Sequence, residues 1–137
     1  MHSDAQTAFV HSLALLLENK NTSEIIPQLE THLEEDSILQ NNQIFKKLLL
    51  QVYLAGANDA FNLQLSKKGE EYLLKFESIY ESSKGVSINE NLIGEAYSSA
   101  GMYYFKKGNY TRSKEYINRG LKYAPDNYKL IISKNSL

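Results

Sequence analysis

Three histidines, His2, His11 and His32, and no cysteine are available for metal or covalent chemistry in this 137-residue chain. A zinc site on one helix needs two ligands four residues apart, and these histidines are not so spaced. Without cysteine there is no thiol nucleophile, redox pair or zinc ribbon. Glu34-Glu35-Asp36 is a dense acidic run, but it lacks the alternating ligands and turn glycine of a calcium loop. It reads as a solvated helix end. Gly69 and Gly108 stand alone, with no glycine-rich loop to cradle a phosphate. No serine sits in a nucleophile elbow. The expectation is a chain that is not an enzyme and needs neither metal nor cofactor.

The remaining chemistry is that of recognition. Residues 1–40 hold seven acids and one Lys, whereas residues 104–137 hold eight bases and two acids. Tyr103, Tyr104, Phe105, Tyr110, Tyr116, Tyr123 and Tyr128 interleave with those bases, a mixture that can stack on bases and grip phosphates. The chain as a whole has a net charge of -1, without the basic excess of a nucleic-acid binder, so nucleic acid is the disfavoured partner. The asymmetry suits steering of an acidic protein partner, and Arg112, Arg119 and Lys122 form a candidate outer basic face.

These residues must be positioned by helices. Two prolines and seven glycines in this length suit a helical chain, and one domain over 1–137 is expected. No apolar run is long enough to span a membrane. Phe9 to Leu17 mimics a signal peptide but has Asp4 before it and His11 within it, so a cytoplasmic protein is expected. Apolar spacing predicts helices from about Asp4 to Glu18, from a Ser23 cap to Glu35, and from Ile38 or Asn42 to Asn62. Three more should follow: a Ser66-capped helix to Ser83, one from a Ser87-Ile88-Asn89-Glu90 capping box to about Lys107, and one over Tyr110 to Tyr123. Pro27 is placed in the first turn of the second helix. A short last helix, Tyr128 to Lys134, should cover the preceding pair through Leu130 and Ile131. Pairing the helices gives units at about 4–35, 38–83 and 88–123, with the capping helix at about 127–134.

The most informative stretch is Gly94 to Asn127. Tyr97, Ala100, Gly101 and Tyr104 share one helical face, and Ser113, Tyr116, Ile117, Gly120 and Leu121 share another. Lys107-Gly108-Asn109 turns between them, and Pro125 ends the unit. At these residues the stretch resembles a tetratricopeptide repeat, a helix–turn–helix of about 34 residues. Tyr97 stands where Trp is favoured, and Ser113 and Gly120 where Ala is favoured. The resemblance implies an all-α fold of antiparallel helix pairs, stacked as a short right-handed superhelix. A weaker echo aligns Leu54-Ala55-Gly56 with Ser99-Ala100-Gly101, and Glu71-Tyr72-Leu73 with Glu115-Tyr116-Ile117.

In that family the first helices of successive pairs line a concave groove that holds a peptide or helix. The resemblance places Glu95, Ser98, Met102, Phe105 and Lys106 in the groove from the last pair. From the middle pair it places Leu50, Tyr53, Ala57, Ala60 and Phe61 there. Ser98 and Met102 stand where chaperone-binding relatives carry their Lys/Asn carboxylate clamp, which disfavours a chaperone-tail adaptor. The expected function is non-catalytic protein–protein interaction, as a small adaptor or partner-specific chaperone. The expected ligand is an apolar, acidic peptide or helix, and self-association stays open. The alternative is a regulatory or sensor domain of a larger signalling or transcription-regulating protein.

Overall fold

The computed structural model describes residues 21–83 and 85–137. The expected helix from Asp4 to Glu18, with His2 and His11, lies outside the described residues. Among those described, the chain is helical, with no strand. The helices are α1 (Thr22–Glu35), α2 (Gln43–Asn62), α3 (Ser66–Glu81), α4 (Glu90–Lys106), α5 (Tyr110–Tyr123) and α6 (Tyr128–Asn135), with a 3-10 turn over Ser37–Asn41. None of these is long and apolar enough to cross a membrane.

Asparagine, rather than serine, starts most of these helices. Asn21, Asn42, Asn89, Asn109 and Asn127 each accept a backbone N–H from the first turn with the side-chain oxygen. The serines expected as caps lie elsewhere. Ser23 is already in the first turn of α1, and its hydroxyl donates to Asn21 at 2.8 Å. Chain entry to α3 is through Leu65, with no side-chain cap, and Ser87 precedes the Asn89 cap. Because α1 starts at Thr22, Pro27 falls in its second turn, not its first. Asp36 caps the 3-10 turn, so the long helix begins only at Gln43, and α3 stops at Glu81, short of Ser83.

The most extensive contacts join α2 with α3 and α4 with α5. In the second pair the register runs in opposite directions along the two helices. Tyr97 lies against Gly120, Gly101 against Ile117, and the Ser113 hydroxyl donates to the Gly101 carbonyl at 2.7 Å. A Cβ on Gly101 would sit 2.5 Å from Ile117 Cδ1, so the helices close up there only because no side chain intervenes. Helix α2 packs on α1, α3 and α4 together. That third neighbour widens its buried surface: Leu50, Tyr53, Leu54, Ala57 and Phe61 join Phe45, Leu49 and Val52 in one continuous core. Helix α6 packs on both α4 and α5. Leu130 is fully buried, but Ile131 faces outward, against expectation.

The two pairs turn their corners in the same way. After α2, Leu65 N–H donates to Ala60 and Gln64 N–H to Phe61; after α4, Asn109 N–H donates to Tyr104 and Gly108 N–H to Phe105. Gln64 has φ 66° and Gly108 φ 79°, the left-handed residue of a Schellman motif in each case. This shared corner sets the register between the pairs. Phe61 aligns with Phe105, Tyr53 with Tyr97, and Lys75 with Arg119. In the first helices Ala57, not Gly56, then aligns with Gly101, so the sequence echo is one residue off.

Candidate functional site

The same polar triad occurs at both junctions between successive units. Tyr53 of α2 donates its hydroxyl to Glu30 of α1 at 2.7 Å, and Lys75 of α3 reaches the same oxygen at 2.6 Å. Tyr97 of α4 donates to Glu77 of α3 at 2.6 Å, and Arg119 of α5 reaches that oxygen at 2.9 Å. Acid, phenol and base thus come from three helices, in the same order each time. Burial, then the neighbouring Glu30 carboxylate, raises the Tyr53 hydroxyl far above an ordinary tyrosine. Burial and Glu77 do the same to Tyr97. Burial pulls the Arg119 guanidinium down, but its hydrogen bond to Glu77 and its attraction to Glu77, Tyr116 and Tyr97 together hold it above its usual value.

Two further acids of α3 extend the second junction. Glu70 accepts from the Tyr104 hydroxyl and, at 2.7 Å, from Arg112. Glu81 accepts from the Tyr123 hydroxyl and from Lys122 at 2.9 Å. Those two hydrogen bonds, from Tyr123 first and then Lys122, hold the Glu81 carboxyl below the usual range. The Arg112 guanidinium lies 4.9 Å from the Tyr104 ring centre, and that of Arg119 lies 4.5 Å from the Tyr116 ring centre. The outer basic face expected at Arg112, Arg119 and Lys122 is therefore a neutralised helix contact. Its signal was in the sequence: Glu70, Glu77 and Glu81 step along one helical face as Arg112, Arg119 and Lys122 step along another.

The residues expected to line a groove separate into two groups. Tyr53 and Phe61 are each 2 % exposed, and Leu50, Ala57 and Ala60 are buried with them. Phe61 is core because α4 packs over it, whereas Tyr53 lies between α1 and α3, its ring stacked on Tyr72 and its hydroxyl on Glu30. The Phe61 ring meets Tyr103, Tyr104 and Tyr116 at centroid distances of 5.7, 6.2 and 6.1 Å. Only the edge of Phe61 reaches a shallow cleft, shared with Ser98, Met102, Lys106 and Lys129. The second group is accessible: Met102 is 51 % and Phe105 43 % exposed. Both line an open depression of about 200 Å³ with Ser98, Gly101, Ile132 and Leu137 around them. Ser98 is buried, and Met102 stands between this depression and the cleft that carries Lys106. Exposed Glu95 lies apart, with Asn91, Tyr128 and Lys129. Lys129 and Ile132 of α6, with Leu137 just beyond it, complete a surface that the sequence places on α2 and α4 alone.

No family model, curated protein or solved structure matches this chain.

Proposed function

We propose that the chain is a non-catalytic protein–protein interaction module, a small adaptor or partner-specific chaperone. Its helix pairs stack as a short right-handed superhelix of the tetratricopeptide kind, with α6 as cap. It takes up an apolar, acidic peptide or helix across α4 and α6. The repeated acid–phenol–base triad supports the stacked-unit reading.

The observation that carries the functional reading is the apolar surface of Met102 and Phe105. In a chain whose other rings along α4 and α5 largely pack inward, these two side chains stay open beside Ile132. Lys106 and Lys129 border the adjoining cleft with no ion-pair partner among the described residues, which provides a basic rim. Aromatic anchors at an interface centre give most binding energy per residue, while rim charges act chiefly on association rate.

The test is affinity capture from native cells, identification of partners by mass, and surface-based kinetics with the purified partner. Phe105→Ala should weaken binding by more than about 1 kcal/mol. Lys106→Glu should slow association, and less so at high salt. A Phe105→Ala chain that folds and binds like the parent removes this surface from consideration.

A further inference from the structure

Resting on that docking surface, we infer that its partner is a helix pair that stacks beside α6 on the corner end of α4 and α5, placing an aromatic ring on Phe105 and a carboxylate against Lys114. The internal junction supplies the template. Phe61 and Phe105 occupy the same position before the same corner. At the first, the following unit lays Tyr103, Tyr104 and Tyr116 over the ring and reduces its exposure to 2 %. At the second, Phe105 meets one ring, Tyr110 of its own pair at 5.2 Å, with the eight-residue α6 where the first has the 17-residue α4, and it stays 43 % exposed. Continuity with an established junction thus defines what fits: a helix bearing aromatic side chains, laid over the Phe105 end of α4 that α6 leaves open.

The charges specify the partner further. On α3 the acids facing the next unit are Glu70, Glu77 and Glu81, and they take Arg112, Arg119 and Lys122. The shared corner register puts Lys114 where α3 has Glu70, and Leu121 where it has Glu77. Lys114 is exposed and has no ion-pair partner among the described residues. A further unit of the kind already stacked would bring a base to this place and be repelled. An occupant with a carboxylate there is attracted, so the end of the stack selects a partner of opposite charge.

The probes are two synthetic peptides copying residues 90–123, one with the parent sequence and one with Arg112→Glu. Binding to the full chain is measured by fluorescence anisotropy. The Arg112→Glu peptide should bind the parent chain, weaken at least about tenfold on Phe105→Ala, and lose binding to Lys114→Glu. The parent peptide should reverse this preference and bind the Lys114→Glu chain better. Circular dichroism confirms that each variant is folded. Neither peptide binding, or binding blind to both substitutions, overturns the inference. If that occurs while a captured cellular partner still requires Phe105, the docking surface stands and only the stacking mode falls. If Phe105 matters in neither experiment, both fall. A dimer of the parent chain in sedimentation that Phe105→Ala abolishes would make the occupant a second copy and overturn the separate-partner form.

Discussion

The pairs α2–α3 and α4–α5 are built to one plan and end in different circumstances. Both turn through a Schellman corner, at Gln64 and at Gly108. Both place a tyrosine, Tyr53 or Tyr97, on a glutamate of the preceding helix, with a base from the pair's own second helix closing the triad. Yet Phe61 is core and Phe105 is surface. The position does not decide that; the unit stacked on it does. A role carried from one repeat to the next by alignment therefore holds only while both have the same neighbours. That is why Phe61 fits a groove on paper and fills the core in the folded chain.

The sharpest way to break this comparison is to truncate the two aligned rings. Phe61→Ala removes a ring surrounded by three tyrosines and should cost about 3–5 kcal/mol of stability. Phe105→Ala should change stability by about 0.5 kcal/mol or less. Urea unfolding followed by circular dichroism measures both. Equal losses would mean that Phe105 is also covered in solution.

The triads give the next effect. Glu77 and Arg119 have side chains only 17 % and 23 % exposed, whereas Glu30 and Lys75 are 31 % and 36 % exposed. Glu77→Ala leaves a guanidinium and the Tyr97 hydroxyl without their shared acceptor, and should cost about 3 kcal/mol. Glu30→Ala should cost about half as much, since water reaches Lys75 more readily. Similar losses at the two sites would show that burial does not grade the junctions.

Alkaline pH probes the same triads with a smaller response. The Tyr97 hydroxyl in the folded chain is raised far above its unfolded value of about 10. A raised pKa contributes stability that is complete below the unfolded value and is lost as pH rises beyond it. Above about pH 10 this one tyrosine should lower stability by about 1.4 kcal/mol per pH unit. Tyr97→Phe should flatten the slope between pH 10 and 11.5, and Tyr53→Phe should act likewise through its own raised hydroxyl. Urea midpoints with an unchanged pH slope in both variants would place the alkaline sensitivity elsewhere.

Much of the fold was legible in the sequence because helical periodicity reports burial directly. Tyr97, Ala100, Gly101, Tyr104, Ser113, Tyr116, Ile117 and Gly120 are all buried as their spacing requires. The caps were less legible, because Ser and Asn satisfy the same backbone N–H groups and several stood within two residues of each start. Leu50, Tyr53, Ala57 and Ala60 were misplaced by a one-residue register error, which rotates a helix by about 100° and turned residues aligned with the buried Gly94, Tyr97, Gly101 and Tyr104 toward the groove. The partners of Arg112, Arg119 and Lys122 were missed for a different reason. They lie about forty residues away on α3, where only the stacking of units brings the two charged rows together.

The two corners themselves offer the smallest and cleanest contrast. Gln64 holds φ 66°, a left-handed conformation that costs an L-residue about 1 kcal/mol, while Gly108 adopts φ 79° without that penalty. A Cβ on Gly108 would have no atom within 4 Å, so substitution there tests backbone conformation and not packing. Gly108→Gln should therefore lower stability by about 1 kcal/mol. Gln64→Gly should raise it, though by only about 0.5 kcal/mol, because glycine also loosens the unfolded chain. The double exchange should leave stability within about 0.5 kcal/mol of the parent, since the sites lie on separate corners and add independently. Urea midpoints of the three variants decide the matter. If Gly108→Gln is neutral, or Gln64→Gly destabilises, the corners are not equivalent, and the alignment of Phe61 with Phe105 built on them would have to be abandoned.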